Sequence, residues 1–321
     1  MEEHGFGRLP CIRCGTETTI RLELDDFTLT CVDCDADFAV SDIEDILTKW
    51  TQGRMIAPMD DCILIIDATN YVVQHWMGSQ GSYPSARALC HFAAHVHKRY
   101  SLRAVHFAFD GGGRTFRHEL FAGYKAGRTP KPQALIDELE LAYEQAQQYG
   151  HVHRLPGVEA DDIIATLTTE SSYERKVVIF SRDKDLRQLL VDGRVSLITD
   201  AHANRGDYML SFLTASDLLT RTRIGACQWA DYQALAGESD GWPGADGVGE
   251  KTATKLIVSF GHLAGIKNAV ADWPASLELS RAGIKLTKRQ AAGIRKLDIE
   301  LARKITRLRT DIPLGELAVT Q

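Results

Sequence analysis

The sequence has no run of eighteen apolar residues, which argues against a transmembrane helix. Its first residues, MEEHGFGRLPC, are acidic and hold no apolar stretch, so they do not read as a secretory signal. A cytoplasmic location without membrane association is the default expectation. An excess of positive charge is also missing. There are 37 Lys and Arg against 43 Asp and Glu, a formal net charge of −6, which counts mildly against a nucleic-acid partner. The distribution weakens that objection. Residues 1–60 hold 13 acids and 5 bases, whereas residues 266–321 hold 11 bases and 6 acids. A net value hides a basic face where acids gather elsewhere, although two ordinary solvated surfaces explain the same asymmetry. The remainder is the composition of a common globular protein: 321 residues, 44% hydrophobic and 25% charged. That length allows a sizeable core and two domains, or one domain with an attachment.

Four of the seven cysteines, Cys11, Cys14, Cys31 and Cys34, form the arrangement CIRC-x16-CVDC. Two CxxC pairs at this separation suit one tetrahedral zinc ion. Disulfides are the competing reading, disfavoured where no signal peptide leads out of a reducing cytosol. Between the pairs, TTIRLELDDFTLT alternates apolar and polar residues as in a half-exposed hairpin. The pattern is that of a zinc ribbon, in which about forty residues bury little core and the metal supplies folding energy. A site closed by four thiolates leaves no open coordination position, so the expected zinc is structural. The acids Asp25, Asp26, Asp33, Asp35 and Asp37 argue against phosphate contact there and favour a protein partner or a plain structural role. Cys62, Cys90 and Cys227 sit singly in apolar contexts and read as core. SDIEDILTKW reads as a short helix capped by Ser41 with Glu44 at the capping-box position, followed by a linker punctuated by Gly53 and Pro58.

From residue 61 the pattern changes. CILIID, AVHFAFD, KVVIFS and RVSLIT read as buried strands. SARALCHFAAHVHKRY, PQALIDELELAYEQAQQYG ending at Gly150, and a stretch beginning EADDIIATL read as helices. Alternation of this kind implies right-handed crossovers and a mostly parallel sheet. Asp67 and Asp110 end the first two strands, Asp183 and Asp185 follow the third, and Glu159, Asp161 and Asp162 lie at a helix start. Each acid alone has an ordinary explanation as a helix cap or first-turn acid. Together they would gather along the edge of the sheet where α/β folds bind ligands. Carboxylates so crowded repel each other and raise their own pKa values. Hard divalent cations bound through oxygen remove that conflict, and two such ions suit phosphodiester hydrolysis.

The ordered motifs DATN (67–70), FAFDGGGRTFRHELFAGYKAGR (107–128), GVEADD (157–162), SRDKDL (181–186) and GESDGWPGADGVGEKTATKLI (237–257) closely resemble the bacterial and phage 5′-3′ exonucleases and flap endonucleases. That family includes the 5′-nuclease domain of bacterial DNA polymerase I. The resemblance spans about residues 61–313 and leaves the ribbon outside. It implies a free-standing 5′-nuclease with a PIN-like α/β fold, a helical arch and a C-terminal helix–three-turn–helix. The implied division is 1–55 for the ribbon and linker helix, 60–225 for the nuclease core with its arch, and 226–321 for the DNA-binding region and last helices. Asp67, Asp110, Glu159, Asp161 and Asp162 would hold or orient a first Mg²⁺, and Asp183, Asp185 and Asp240 a second, with Mn²⁺ as a substitute. Lys125 and Arg128 match the arch residues that grip the scissile phosphate. The substrate implied is DNA with a 5′ flap or a single-strand/duplex junction, cut by a monomer.

Read from its own composition, the segment 111–131 places Arg114, Arg117, Lys125, Arg128 and Lys131 where they can contact phosphates, and Phe116, Phe121 and Tyr124 where they can stack on bases. A solvated basic loop is the plainer explanation. In PGADGVGEKTATKLI, Gly247 and Gly249 can present backbone N–H groups to phosphate with Lys251 and Lys255 just behind. By resemblance this element binds the duplex and a K⁺ ion. The sequence departs from the family pattern at Ala68, at Arg182, and at GESDG, which is one residue short. Glu238 matches the first acid of that loop only if the gap follows it. Two other readings stay open: a DNA-junction-binding protein with a crippled site, and an RNA-directed PIN-like nuclease.

Overall fold

The computed structural model describes residues 5–10, 17–23, 28–31 and 37–39, and residues 61–315 apart from 173–174, 205–206 and 239–240. The chain divides into two units, Met1–Pro58 and Met59–Gln321. The first unit is an antiparallel sheet in the order β1 (Gly5–Pro10), β2 (Glu17–Glu23), β3 (Thr28–Cys31), β4 (Asp37–Ala39). The alternating segment forms the β2–β3 hairpin, with Leu22 opposite Leu29 and Ile20 opposite Cys31. Cys31 closes β3, while Cys11, Cys14 and Cys34, like the expected helix at 41–50, lie outside the described residues.

The second unit is built on a six-stranded sheet. Its strands are β5 (Ile63–Asp67), β6 (Ala104–Phe109), β7 (His151–Arg154), β8 (Val177–Phe180), β9 (Val195–Asn204) and β10 (Asp207–Leu213), in the spatial order β10-β9-β8-β5-β6-β7. All neighbours are parallel except β9 and β10. The central strands are continuous apolar runs because both faces are covered. On one face Leu64, Ile66, Phe107 and Phe109 pack on α1 (Ala68–Ser79), α2 (Ser85–Tyr100) and α4 (Gln133–Ala146), through Val72, Leu89, Phe92 and Leu135. On the other, Ile65, Ala108 and Ile179 pack on α5 (Ala160–Ser171), through Ile163, Ile164 and Leu167. A short α3 (Phe116–Leu120) lies between β6 and α4.

Two strands and one helix go beyond the sequence reading. β7 is a half-exposed edge, β10 is the return strand of an antiparallel hairpin, and α1 follows β5 without a loop. The helix expected to end at Gly150 stops at Ala146. Gly150 has another use: a Cβ there would fall 2.2 Å from the Val105 carbonyl oxygen, so only glycine lets the chain enter β7 beside β6.

The apolar core on the α5 face continues into the C-terminal helices α6 (Ala215–Thr222), α7 (Trp229–Ala236), α8 (Glu250–Phe260), α9 (Leu263–Ala271), α10 (Leu277–Arg281), α11 (Lys288–Lys296) and α12 (Ile299–Thr306). Trp229, Leu235, Leu256 and Ile294 are buried in that same cluster. None of the helices among the described residues is long and apolar enough to cross a membrane. After β5 the chain builds β6 and β7 on one side, then returns to place β8 on the other. The strand order therefore reverses at β5, and the crevice beyond its carboxyl end is where such a sheet receives a ligand.

Candidate active site

Asp67 is the last residue of β5 and the N-cap of α1. It is 3% exposed and accepts hydrogen bonds from the Asn70 N–H at 3.0 Å and the Ser181 hydroxyl at 2.8 Å. Asp110 follows β6; its Oδ1 accepts from the Ala160 N–H at 3.0 Å, and its own N–H donates to Thr69 Oγ1 at 2.9 Å. Asp161 sits in the first turn of α5. Beyond β8, the Asp183 N–H donates to Ser181 Oγ at 3.0 Å, and Asp183 Oδ1 accepts the Asp185 N–H at 2.9 Å. Ser181 thus ties the Asp67 and Asp183 sites together.

The electrostatics show how tightly these acids are grouped. Burial, then the charges of Asp110 and Asp183, push the Asp67 carboxyl up to about 7, against the pull of its two hydrogen bonds. Burial lifts Asp161 well above the ordinary range, helped by Asp183, Asp67, Asp185 and Asp110. Burial and Asp183 bring Asp185 to about 6. Burial and the charges of neighbouring acids therefore disfavour the ionised forms of Asp67, Asp161 and Asp185. Among the described residues no three of these acids stand ready-made around a metal position; as hard oxygen donors they have the chemistry for one or two divalent cations, which would offset the repulsion.

Two of the expected metal-holding acids are occupied differently. Glu159, the N-cap of α5, accepts from Lys125 Nζ at 2.5 Å, Arg117 Nη1 at 2.5 Å and the Tyr124 hydroxyl at 3.1 Å. Burial would raise its carboxyl, but Lys125 and Arg117 outweigh that and hold it below the usual value. Asp162 is 1% exposed and takes a bidentate pair from Arg117 at 2.6 and 2.8 Å, plus the Arg309 N–H at 2.9 Å. Both acids are thus paired with cations of the protein at the start of α5.

The same contacts correct the reading of segment 111–131. Arg117, expected on DNA, is 3% exposed and also donates to the carbonyls of Ile305 at 2.8 Å and Arg307 at 3.2 Å. Tyr124, expected to stack on bases, is buried at 7% exposure. The Arg117 and Arg309 guanidinium groups lie 4.6 and 5.4 Å from the centre of the Phe116 ring, and Phe121 packs edge-on against Trp242 at 5.4 Å. The aromatics of this segment serve the fold. Arg114, Arg128 and Lys131 are exposed, as are Gly247, Gly249, Lys251 and Lys255 around the start of α8. Lys125 is half-buried at the edge of the acid group; burial lowers its ammonium pKa, and Glu159 more than reverses this.

In the loop after α7, Glu238 accepts from Gln233 Nε2 at 3.0 Å, and the same nitrogen donates to Asp185 Oδ1 at 2.5 Å. Glu238 is therefore brought to the acid group; Asp240 lies outside the described residues. Gln233, Ser181, Thr69 and Arg309 are functional neighbours that the sequence reading missed. Ser181 and Thr69 stand inside the SRDKDL and DATN motifs, while nothing local marks the other two. A cleft of 710 Å³ between residues 242–246 and α11 is lined by Lys288 and Lys296, by the Arg289–Asp246 ion pair and by Asp298.

Residues 62–215 match the family described as 5′-3′ exonuclease, N-terminal resolvase-like domain, and residues 224–320 match 5′-3′ exonuclease, C-terminal SAM fold. A flap endonuclease of Shewanella halifaxensis is 33% identical over 213 residues, 64% of this chain and 75% of that protein. The chain belongs to the 5′-3′ exonuclease family. Thermostable DNA polymerase I of Thermus aquaticus is 37% identical over 215 residues, 66% of this chain but 23% of the polymerase, so the chain spans about a quarter of that relative. The 5′-3′ exonuclease of Bacillus subtilis is 32% identical over 209 residues. Among solved structures, a T5 5′-exonuclease with divalent metal ions bound has a TM-score of 0.60 at 22% identity, over 76% of this chain and 87% of that one. A T5 flap endonuclease in a product-type complex with DNA and metal ions gives 0.59 at 21% identity, with the same coverage. These two carry the 5′-3′ exonuclease fold. The relatives favour neither a disabled junction binder nor an RNA-directed nuclease.

Proposed function

We propose that this 5′-3′ exonuclease family member hydrolyses DNA phosphodiesters at 5′ flaps or single-strand/duplex junctions. The observation that carries the reading is the group of five carboxylates, Asp67, Asp110, Asp161, Asp183 and Asp185, in which burial first and neighbouring acids second raise Asp67, Asp161 and Asp185. Asp67, Asp110 and Asp161 would hold one Mg²⁺, while Asp183, Asp185, Glu238 and Asp240 would hold a second, with Mn²⁺ able to replace either. Bound there, the cations supply activation of the attacking water and stabilisation of the leaving oxygen. The chain's part is to fix these oxygens on strand ends and to bring cations to the substrate. Lys125 is set at the edge of the group by Glu159 and stands ready to neutralise charge on the scissile phosphate. Arg128 and Arg114 supply backbone contacts nearby, and Gly247, Gly249, Lys251 and Lys255 supply contacts to the duplex further out. A K⁺ held by the turn before α8 and a monomeric state belong to the same reading. For residues 1–55 we propose one structural zinc on Cys11, Cys14, Cys31 and Cys34 and a protein-docking role. Less than one zinc per chain in elemental analysis of the full-length protein would remove that site.

The test of the main reading is cleavage of a labelled 5′-flap DNA by purified protein. Cutting that requires Mg²⁺ and stops with EDTA supports it. Uncut DNA in both conditions contradicts it.

A further inference from the structure

One neutral side chain reaches into the acid group. Gln233, on α7, is 5% exposed, and its Nε2 donates to Asp185 Oδ1 at 2.5 Å and to Glu238 Oε1 at 3.0 Å. A single amide nitrogen thus spans two carboxylates from separate parts of the chain, one beyond β8 and one in the loop after α7. The other end of the amide gains nothing, because Gln233 Oε1 is buried without a partner among the described residues. A buried acceptor left in this way costs about 1–3 kcal/mol. Reversing the amide does not help, since its oxygen would then face two carboxylates. The flanking Ala234 and Leu235 are fully buried, so an apolar residue would suit the position better if stability alone were at stake.

The loop makes a matching concession. A Cβ at Gly241 would fall 2.6 Å from Glu238 Oε2, so the Glu238 carboxylate keeps its place because residue 241 has no side chain. The chemistry of the amide also matters. A lysine at 233 would order the two acids but cancel one of the charges that attract a cation. An amide donates to both and cancels neither. It lowers the cost of bringing the carboxylates together while leaving the negative potential in place.

We infer that Gln233 is a positioning residue that holds Asp185 and Glu238 as one pair of oxygen donors for a divalent cation. The inference rests on the metal-dependent reading above for the class of ligand. It assigns the shortened GESDG loop a working donor, delivered by an element outside that loop.

The test uses full-length protein, Mn²⁺ as the probe and three measurements: Mn²⁺ affinity without DNA, denaturant stability in EDTA, and flap cleavage against Mg²⁺ concentration. Gln233→Leu removes the amide at similar size. Gly241→Ala displaces Glu238, meets the buried Tyr124 ring only at an ordinary contact distance of 3.6 Å, and so reports even if Gln233→Leu fails to fold. Loss of a partner that orients a ligand weakens metal binding by roughly 10–100-fold. In both variants the weaker Mn²⁺ step is expected to lose affinity by at least about tenfold. The Mg²⁺ concentration for half-maximal cleavage rises with it, and DNA affinity stays the same. In EDTA, Gln233→Leu is as stable as wild type or more so. Unchanged Mn²⁺ affinity in both variants overturns the inference, as does a stability loss in Gln233→Leu with Mn²⁺ binding intact. If wild type shows the Gln233-dependent Mn²⁺ step yet cuts no DNA, the pairing stands and the nuclease reading fails instead.

Discussion

Arg117→Met is the substitution whose cost follows most directly from the contacts. The guanidinium is buried and serves two buried carboxylates, Glu159 and Asp162, and two carbonyls of the C-terminal segment, Ile305 and Arg307. Methionine keeps much of the volume but leaves both acids without their shared cation. Breaking a buried ion pair from one side costs about 3–5 kcal/mol, because the remaining charge stays desolvated. Lys125 still pairs with Glu159, and the Arg309 N–H still reaches Asp162, which keeps the loss from exceeding that range. For a unit of this size each kcal/mol lowers the melting temperature by about 2–4 °C, so the expected drop is roughly 6–20 °C. The deficit depends on pH with a definite sign. Glu159 is held below its ordinary value of 4.5, so its stabilising share is present above that pH and lost as pH falls through the folded value. Wild type and variant should therefore converge below about pH 4.5. Calorimetry and urea titration at pH 7.5 and pH 4 measure both effects. A loss under 1 kcal/mol at pH 7.5, or a deficit that does not narrow on acidification, refutes the reasoning.

The other predictions concern charge in the same half of the molecule. Asp161→Asn should stabilise the protein in EDTA, because the native carboxyl is lifted well above its ordinary value, first by burial, and its ionised form is penalised as pH rises. The same variant should lose part of the stabilisation that wild type gains from Mg²⁺; equal melting curves with and without EDTA would count against the crowding argument. His106 and His153 are held at about 3 and about 4 by burial and by their histidine neighbours, so the folded state favours their neutral forms. Their contribution is complete above about 6.5 and declines as pH falls towards the folded values. His106→Phe should therefore show a shallower acid loss between pH 6.5 and 4, and parallel stability curves would dismiss the idea. Lys125→Ala should slow single-turnover cleavage by about 10²-fold with metal affinity retained; an unchanged single-turnover rate would deny Lys125 a catalytic role.

What could be read in advance follows the range of the interactions involved. Asp67, Asp110, Asp183 and Asp185 were legible because buried parallel strands appear as uninterrupted apolar runs, and the acids terminate or follow those runs. β7 was not, since HVHR is four residues of half-exposed edge with no apolar signal of its own. Arg117 and Tyr124 looked like DNA contacts because a basic, aromatic, glycine-rich stretch carries no mark of which way its side chains face. Their burial is decided by Glu159 and Asp162 on α5, and by carbonyls of the last segment, at sequence separations up to 190 residues. Gln233 escaped notice for the same reason. Its partners come from different elements, and a glutamine within WADYQALA has no local signature. Glu238, taken from the family motif, shares the Gln233 amide with Asp185, while Asp240 and the cysteines Cys11, Cys14 and Cys34 fall outside the described residues.

The central claim is that the carboxylates at the ends of β5 and β8 hold the cations that cut DNA. The most direct measurement compares Mg²⁺-dependent cleavage of a 5′-flap DNA by wild type, Asp67→Ala and Asp183→Ala, with binding of the same DNA measured in parallel. Near-complete loss of cleavage in both variants, with DNA affinity retained, is the expected result. Cleavage by either variant at the wild-type rate would contradict it.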